Sequence, residues 1–107
     1  MMGENEVKTP TDCIDIAIVD AHDDEQIYCW IECLKNVFDG VDSVNLSGKK
    51  VAFLGFEYVD DDALSVIYKK NNKKEKVDLN TIEFIKPTKI QQLWINGYNL
   101  WRSYRSY

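Results

Sequence analysis

The fold is decided by residues 49–86, which read KKVAFLGFEYVDDDALSVIYKKNNKKEKVDLNTIEFIK. Apolar and polar side chains alternate along much of this stretch, as they do in a strand that buries one face. Two clusters of turn-forming residues interrupt the alternation, Asp60–Asp62 and the pair Asn71-Asn72, whose residues tolerate positive φ at a hairpin tip. The pattern predicts an antiparallel sheet of three to four strands, at Lys49–Val59, Leu64–Lys69, Lys76–Leu79 and Ile82–Ile85.

The first strand of this sheet is apolar on both faces at its start. Ala52 and Leu54 share one face, and Val51 and Phe53 share the other. A strand without a polar face is typical of a central position that is covered on two sides. We therefore expect the sheet to be covered on both faces at this strand.

A strand and a helix are predicted before the sheet. The run DCIDIAIVD at residues 12–20 alternates isoleucine with other residues, which is typical of a strand. Asp23 and Gln26 then form a variant of the capping box, and apolar residues recur at helical spacing as far as Phe38. We expect this helix to cover the sheet and residues 39–47 to form a connection.

The segment after the sheet, residues 88–104, is consistent with two structures. Thr88 and Gln91 form a capping box, and apolar side chains that follow share one helical face. The pair Asn96-Gly97, with strand-prone flanks, instead indicates a hairpin. We favour the helix, because the order Ile-Gln-Gln-Leu at residues 90–93 breaks the alternation of a strand.

Together these patterns predict one α+β domain over residues 12–107. It would contain an N-terminal strand with a covering helix, the antiparallel sheet and a C-terminal helix. The length of 107 residues fits one domain, and the 45% of hydrophobic residues is ordinary for a globular chain. Residues 1–11 are polar and give no pattern for burial, so we expect a flexible arm there.

The sequence predicts neither a membrane span nor a secretory signal. No apolar run approaches the ~20 residues that cross a bilayer, and no basic segment followed by an apolar one begins the chain. We therefore expect a cytoplasmic protein without a membrane partner. The three cysteines are an odd number and lack the spacing of a disulfide framework, so reduced thiols are expected.

Few residues in the chain are suited to catalysis. His22 is the only histidine, and no serine is flanked by glycines, so no pairing of a nucleophile with a base is indicated. The five glycines are too scattered to form a phosphate-binding loop. We predict that the protein is not an enzyme and uses no cofactor.

Two groups of side chains have the chemistry of metal ligands. Cys13, His22, Cys29 and Cys33 could supply a zinc site, although structural zinc sites usually have two closely spaced ligand pairs, and buried thiols also pack as small apolar groups. The triplet Asp60–Asp62 offers oxygen ligands for Mg²⁺ or Ca²⁺ but lacks the ligand spacing of an EF-hand loop. We predict no metal site, and the zinc alternative stays open.

Charge is distributed unevenly along the sequence. Residues 1–48 carry eleven acidic residues and two lysines, whereas residues 49–107 carry seven acidic and eleven basic residues. The total formal charge of −5 therefore combines a strongly acidic first half with a basic second half. Because the field of the first half repels phosphate, direct binding of nucleic acid is not expected, and a basic protein is the better partner.

These observations favour a binding protein, and our leading hypothesis is a small acidic inhibitor of the immunity or anti-defence type. Its carboxylates would occupy the substrate groove of a basic enzyme, such as a nuclease or another enzyme of nucleic acids, in place of phosphates. Aromatic residues near the C-terminus would supply apolar contacts. The predicted partner-binding residues are Asp12, Asp15, Asp20, Asp23, Asp24, Glu25, Glu32, Asp39, Asp42, Trp101 and Tyr104.

Two other functions are consistent with the sequence. In the first, the chain is a non-catalytic reader or adaptor module that holds a peptide or a cation between Phe56, Tyr58 and Tyr68. In the second, a lysine-rich hairpin around Asn71-Asn72 binds nucleic acid together with arginines of the tail. The same lysines also suit a solvated hairpin end that prevents pairing between sheet edges.

Overall fold

The computed structural model describes residues 7–105, which form three α-helices and one five-stranded antiparallel sheet. The helices are α1 (Pro10–Ile18), α2 (Gln26–Val37) and α3 (Lys89–Arg105). The strands are β1 (Ser43–Leu46), β2 (Lys49–Asp60), β3 (Ala63–Lys70), β4 (Lys73–Asp78) and β5 (Ile82–Phe84), in the spatial order β4-β3-β2-β1-β5. The predicted α+β class and antiparallel sheet are confirmed, as are the helix before the sheet and the helix after it.

The predicted strand at residues 12–20 is wrong, because this segment forms α1. The Thr9 hydroxyl accepts a hydrogen bond from the Asp12 N–H at 3.2 Å, and the Asp12 carboxylate accepts one from the Thr9 N–H at 3.0 Å. This capping box starts the helix, and Pro10 at its beginning has a φ angle already suited to helix. The residues that α1 buries are Cys13, Ile14 and Ala17. These buried positions follow helical spacing, whereas the isoleucines at 14, 16 and 18 alternate as they would in a strand.

The predicted arm at residues 1–11 overlaps the described part of the chain only from Val7 onward. Residues 1–6 lie outside it. The side chain of Val7 is buried in the hydrophobic core, and Pro10 and Thr11 belong to α1. The ordered fold therefore begins before residue 12.

The sheet has five strands, whereas three or four were predicted. Residues 43–46, expected in a connection, pair with both β2 and β5 as β1. The turn between β1 and β2 consists of Ser47 and Gly48, whose φ angles are +52° and +82°. Two consecutive positive φ angles are typical of the two-residue hairpin turns that match strand twist. The same holds at the predicted tip, where Asn71 and Asn72 have φ of +53° and +64°.

The sheet is buried on one face, so the predicted cover on both faces of β2 is wrong. Opposite β3, Phe53 pairs with Tyr68 and Gly55 pairs with Ile67, so Leu54 is an extra residue in β2. This bulge inverts the alternation of the strand and leaves Leu54 45% exposed. Every buried strand residue lies on the inner face, which packs against the helices: Val44, Val51, Phe56, Leu64, Val66, Tyr68 and Ile82.

Helices α2 and α3 run antiparallel to each other. At one end, the Trp101 Nε1 donates a hydrogen bond to the side chain of Gln26 at 2.8 Å. At the other end, the Gln91 side chain donates to the carbonyl of Val37 at 3.3 Å. The start of α2 therefore lies beside the end of α3. The turn between β2 and β3 lies there too, because Arg105 Nε donates to its Asp62 at 2.6 Å.

One buried hydrogen bond joins α3 to the sheet. The hydroxyl of Tyr98, a residue with no exposed surface, accepts from the backbone N–H of Leu64 at 3.1 Å. Burial raises the pKa of this phenol, so it stays protonated. The contact fixes the position of α3 over the beginning of β3.

We expect Tyr98→Phe to lower the free energy of unfolding by about 1–2 kcal/mol, because it leaves the Leu64 N–H buried without an acceptor. Urea denaturation followed by circular dichroism measures the change. Tyr104→Phe removes a hydroxyl from an exposed ring and is the matched control, with an expected change below about 0.5 kcal/mol. Equal stability of the two variants would show that the hydrogen bond does not stabilise the fold.

Candidate functional site

Most of the negative surface is gathered at one end of the molecule, where the α1–α2 loop and the β2–β3 turn meet the end of α3. Arg105 connects them, since it bonds the Asp62 carboxylate at 2.6 Å and donates to the Asp23 carbonyl at 3.3 Å. We call this surface the acidic end and define it by eight exposed carboxylates and two tyrosines: Asp20, Asp23, Asp24, Glu25, Glu32, Asp60, Asp61, Asp62, Tyr28 and Tyr58.

Two exposed tyrosine rings belong to the acidic end. Tyr28 of α2 and Tyr58 of β2 stack with centroids 4.8 Å apart and planes 5° from parallel. They remain 53% and 37% exposed, although aromatic rings gain most from full burial. A stacked pair that links two elements and still faces solvent is an apolar contact surface, and it lies at the same end of the molecule as the carboxylates.

Tyr58 is held in place by a second contact. Its hydroxyl donates to the Asp61 carboxylate at 3.2 Å. Partial removal from solvent, together with the neighbouring Asp61 and Tyr28, raises the pKa of Tyr58 to about 12. The ring is therefore neutral near pH 7 and adds no charge of its own to the acidic end.

The β2–β3 turn is ordered by its own side chains. The Asp60 carboxylate accepts from the Asp62 N–H at 2.8 Å, as in the local turns that aspartate favours. The Asp62 carboxylate is bonded to Arg105, and that of Asp61 to Tyr58. Each of the three carboxylates thus has a structural contact, yet all three residues stay exposed.

The side chains considered as metal ligands do not converge. Across residues 7–105, no group of three or more His, Cys, Asp or Glu side chains is placed to hold a metal ion. Cys13 is fully buried between α1 and its neighbours, and burial raises the pKa of its thiol to about 11. Cys29 and Cys33 are partly exposed on α2, and His22 is exposed in the α1–α2 loop.

The nine predicted partner-binding carboxylates do not form one cluster. Five of them, at residues 20, 23, 24, 25 and 32, belong to the acidic end. Asp12 is occupied in the α1 capping box, where the N–H groups of Lys8 and Thr9 lower its pKa. Asp15 lies exposed on α1. Asp39 and Asp42 follow the opposite end of α2, about 18 Å from its start for a helix of 12 residues.

The two predicted aromatic contacts also separate. Trp101 is only 2% exposed and belongs to the core, whereas Tyr104 is exposed near the end of α3. Sequence reasoning missed Tyr28, Tyr58 and the triplet Asp60–Asp62 as members of the site. Tyr28 had a usable signal, because its helical phase sets it opposite the apolar face of α2. The pairing of Tyr28 with Tyr58 has no sequence signal.

The lysine-rich turns lie far from the acidic end. They are the β1–β2 turn and the β3–β4 tip, at the opposite ends of strands β2 and β3 from the Asp60–Asp62 turn. The eight residues of β3 span about 26 Å, and the molecule is 40 Å long in its longest dimension. The arginines of the tail do not join the lysines, since Arg102 pairs with Asp78 and Arg105 with Asp62.

No helix within residues 7–105 has both the length and the apolar character needed to cross a membrane. Comparisons with protein-family models, with curated proteins and with solved structures found no match. The geometry and charge of the acidic end are therefore the basis for a functional assignment.

Proposed function

We propose that the protein is a small, non-catalytic inhibitor that binds a basic enzyme through the acidic end, in place of that enzyme's nucleic-acid substrate. One observation carries this proposal. Eight exposed carboxylates lie at the same end of the molecule as the exposed Tyr28–Tyr58 stack, where Arg105 holds the α1–α2 loop and the β2–β3 turn beside the end of α3. Carboxylates alone commonly serve solubility, but solubility does not require an exposed aromatic pair among them.

The carboxylates and the tyrosines would contribute to binding in different ways. Carboxylates attract a basic groove over a distance and raise the association rate, an effect that salt weakens. Tyrosine is enriched among the residues that dominate binding energy when water is excluded from them. The ring stack would therefore slow dissociation. The fixed orientation of both groups lowers the entropy lost on binding.

The reader or adaptor alternative is less well supported. Of its three aromatic residues, Phe56 and Tyr68 are each 5% exposed and belong to the core. Tyr58 alone remains accessible, and Tyr28 covers one face of its ring. A cation could contact the edge of this stack, but the three residues do not enclose a cage.

The test begins with a tagged pull-down from a lysate of the organism that encodes the protein, at low and at high salt. Mass spectrometry identifies any stoichiometric basic partner, which is then purified for activity and binding assays. Asp24→Lys/Glu32→Lys reverses two carboxylates of the acidic end. Asp39→Lys/Glu83→Lys makes the same change in net charge at two exposed positions outside it and serves as the matched control.

We expect Asp24→Lys/Glu32→Lys to lower the association rate at least tenfold and to abolish inhibition at stoichiometric concentrations. The control should change the association rate less than twofold. Tyr28→Ala should act mainly on the dissociation rate, raising it about tenfold or more, in proportion to a contact of about 1.4 kcal/mol or more. Recovery of no basic partner, or equal losses in the two charge variants, would refute the proposal.

A further inference from the structure

The outer face of the sheet is open and carries lysines from three strands. Lys69 of β3 lies directly opposite Lys74 of β4, and Ala52 of β2 is the next residue in the same row. Lys50 and Lys76 lie two residues along β2 and β4 on the same face. We call these four lysines, residues 50, 69, 74 and 76, the lysine stripe.

The charges of the lysine stripe are mostly uncompensated. Lys76 pairs with Glu57. Among the described residues, no carboxylate forms an ion pair with Lys50, Lys69 or Lys74. Like charges directly opposite each other weaken a strand pair. A second such pair, Lys70 with Lys73, follows at the tip. The fold thus holds cations together that repel one another.

Protection of the sheet edge explains only part of this arrangement. Lysines on β4, an edge strand, discourage pairing with another chain. Lys69 lies on β3 and Lys50 on β2, which are both interior strands with no free edge to protect. The lysine stripe runs across three strands of the sheet. A row of cations in this arrangement suits contact with an extended anion.

Between the lysines, the outer face of the described sheet carries no large polar side chain and no aromatic ring. Ala52, Gly55 and Ser65 on the outer face have small side chains, and Ile67, which lies opposite Lys76, is only partly exposed. Within residues 7–105 no aromatic residue faces outward from the sheet. Proteins that bind single strands usually stack bases on aromatic rings, whereas contacts to a duplex go largely to phosphates.

We propose that the lysine stripe binds the phosphodiester backbone of a nucleic-acid duplex, without regard to base sequence. The expectation against nucleic acid came from net charge, but Lys69 and Lys74 lie about 20 Å along β3 from the Asp60–Asp62 turn, and Lys76, about 13 Å from it, is paired with Glu57. Fields of exposed charges decay over about 10 Å at 0.1 M salt, so the stripe acts locally. This activity is independent of the proposed inhibition.

The experiment measures binding of the intact protein to a fluorescent 20-base-pair DNA duplex by anisotropy, between 25 and 200 mM salt. We expect the logarithm of the association constant to fall linearly with the logarithm of salt concentration, with a slope of about −3 to −4 for four phosphate contacts. Lys69→Glu/Lys74→Glu should weaken binding at least tenfold at 50 mM salt. Lys8→Glu/Lys89→Glu, with the same change in net charge at exposed positions near the helix starts, should change it less than twofold. Circular dichroism confirms that both variants are folded.

Several results would overturn the proposal. Absence of duplex binding at 25 mM salt is one, and equal weakening in the two charge variants is another. Tighter binding of a single-stranded oligothymidine than of the duplex would refute the duplex assignment. Failure to bind the duplex, combined with salt-sensitive self-association in sedimentation velocity, would show that the stripe contacts the acidic end of a second copy instead.

Discussion

Trp30→Ala is expected to lower the free energy of unfolding by about 3–5 kcal/mol, the range for removing a large ring from a packed core. Trp30 has no exposed surface and lies at the centre of the core on α2. Its ring meets those of Trp94, Tyr98 and Trp101, each with centroids 5.8 Å away. All three belong to α3, so the substitution removes the main apolar contact between two helices.

Trp30→Phe is the control that separates loss of volume from loss of aromatic character. Across the described part of the chain, the Trp30 Nε1 is buried and has no hydrogen-bond acceptor. Replacement by phenylalanine removes this unsatisfied donor, which offsets part of the cavity left behind. We expect it to cost less than half as much as Trp30→Ala in urea denaturation. Equal losses would show that the indole itself, and not ring packing, determines stability at this position.

The sequence predicted α2 and α3 because several signals agreed for each. At the start of α3 the predicted capping box forms. The Thr88 N–H donates to the Gln91 side chain at 2.9 Å, and the Gln91 N–H donates to the Thr88 hydroxyl at 3.1 Å. The competing hairpin signal at Asn96-Gly97 failed because Gly97 is needed in the helix for close packing. Over the nine residues of α1, the apolar pattern could not distinguish the period of a helix from the alternation of a strand. The deciding signal was the helix cap at Thr9 and Pro10.

The errors in the sheet arose from features that depend on a partner strand. β1 has four residues, too few to show a period, and it is stable because β2 and β5 pair with it on both sides. The bulge at Leu54 depends on its register with β3. Simple alternation therefore assigned Leu54 and Phe56 to one face, whereas the structure exposes the first and buries the second.

The candidate site was predictable in composition and not in arrangement. Acidic residues of the first half were identified, but Asp39 and Asp42 lie beyond the far end of α2. The triplet Asp60–Asp62, from the basic half of the sequence, completes the acidic end because Arg105 holds it beside the α1–α2 loop. Charge counted along a sequence cannot show which charges a sheet brings together or moves apart.

Gly97→Ala is the second substitution with a large expected effect on stability. We expect it to destabilise the fold, whereas a change from glycine to alanine in a helix usually stabilises it. In most helix interiors this change stabilises by about 0.5–1 kcal/mol, because glycine loses more backbone freedom on folding. A Cβ at Gly97 would lie 2.8 Å from the Cβ of Cys13 and 3.0 Å from the carbonyl oxygen of Pro10. Both belong to α1, whose backbone would have to move away from α3.

We therefore expect Gly97→Ala to lower the free energy of unfolding by about 2–3 kcal/mol, in the upper part of the range for overpacked cores. Asn96→Ala, at the exposed neighbouring position, should change it by less than about 0.5 kcal/mol. The decisive measurement is a double-mutant cycle with Cys13→Gly, which removes the nearest atom. If contact between α1 and α3 causes the loss, the double variant should be at least about 1 kcal/mol more stable than the sum of the single effects predicts. Additive effects, or a gain in stability from Gly97→Ala alone, would show that α1 can shift without cost.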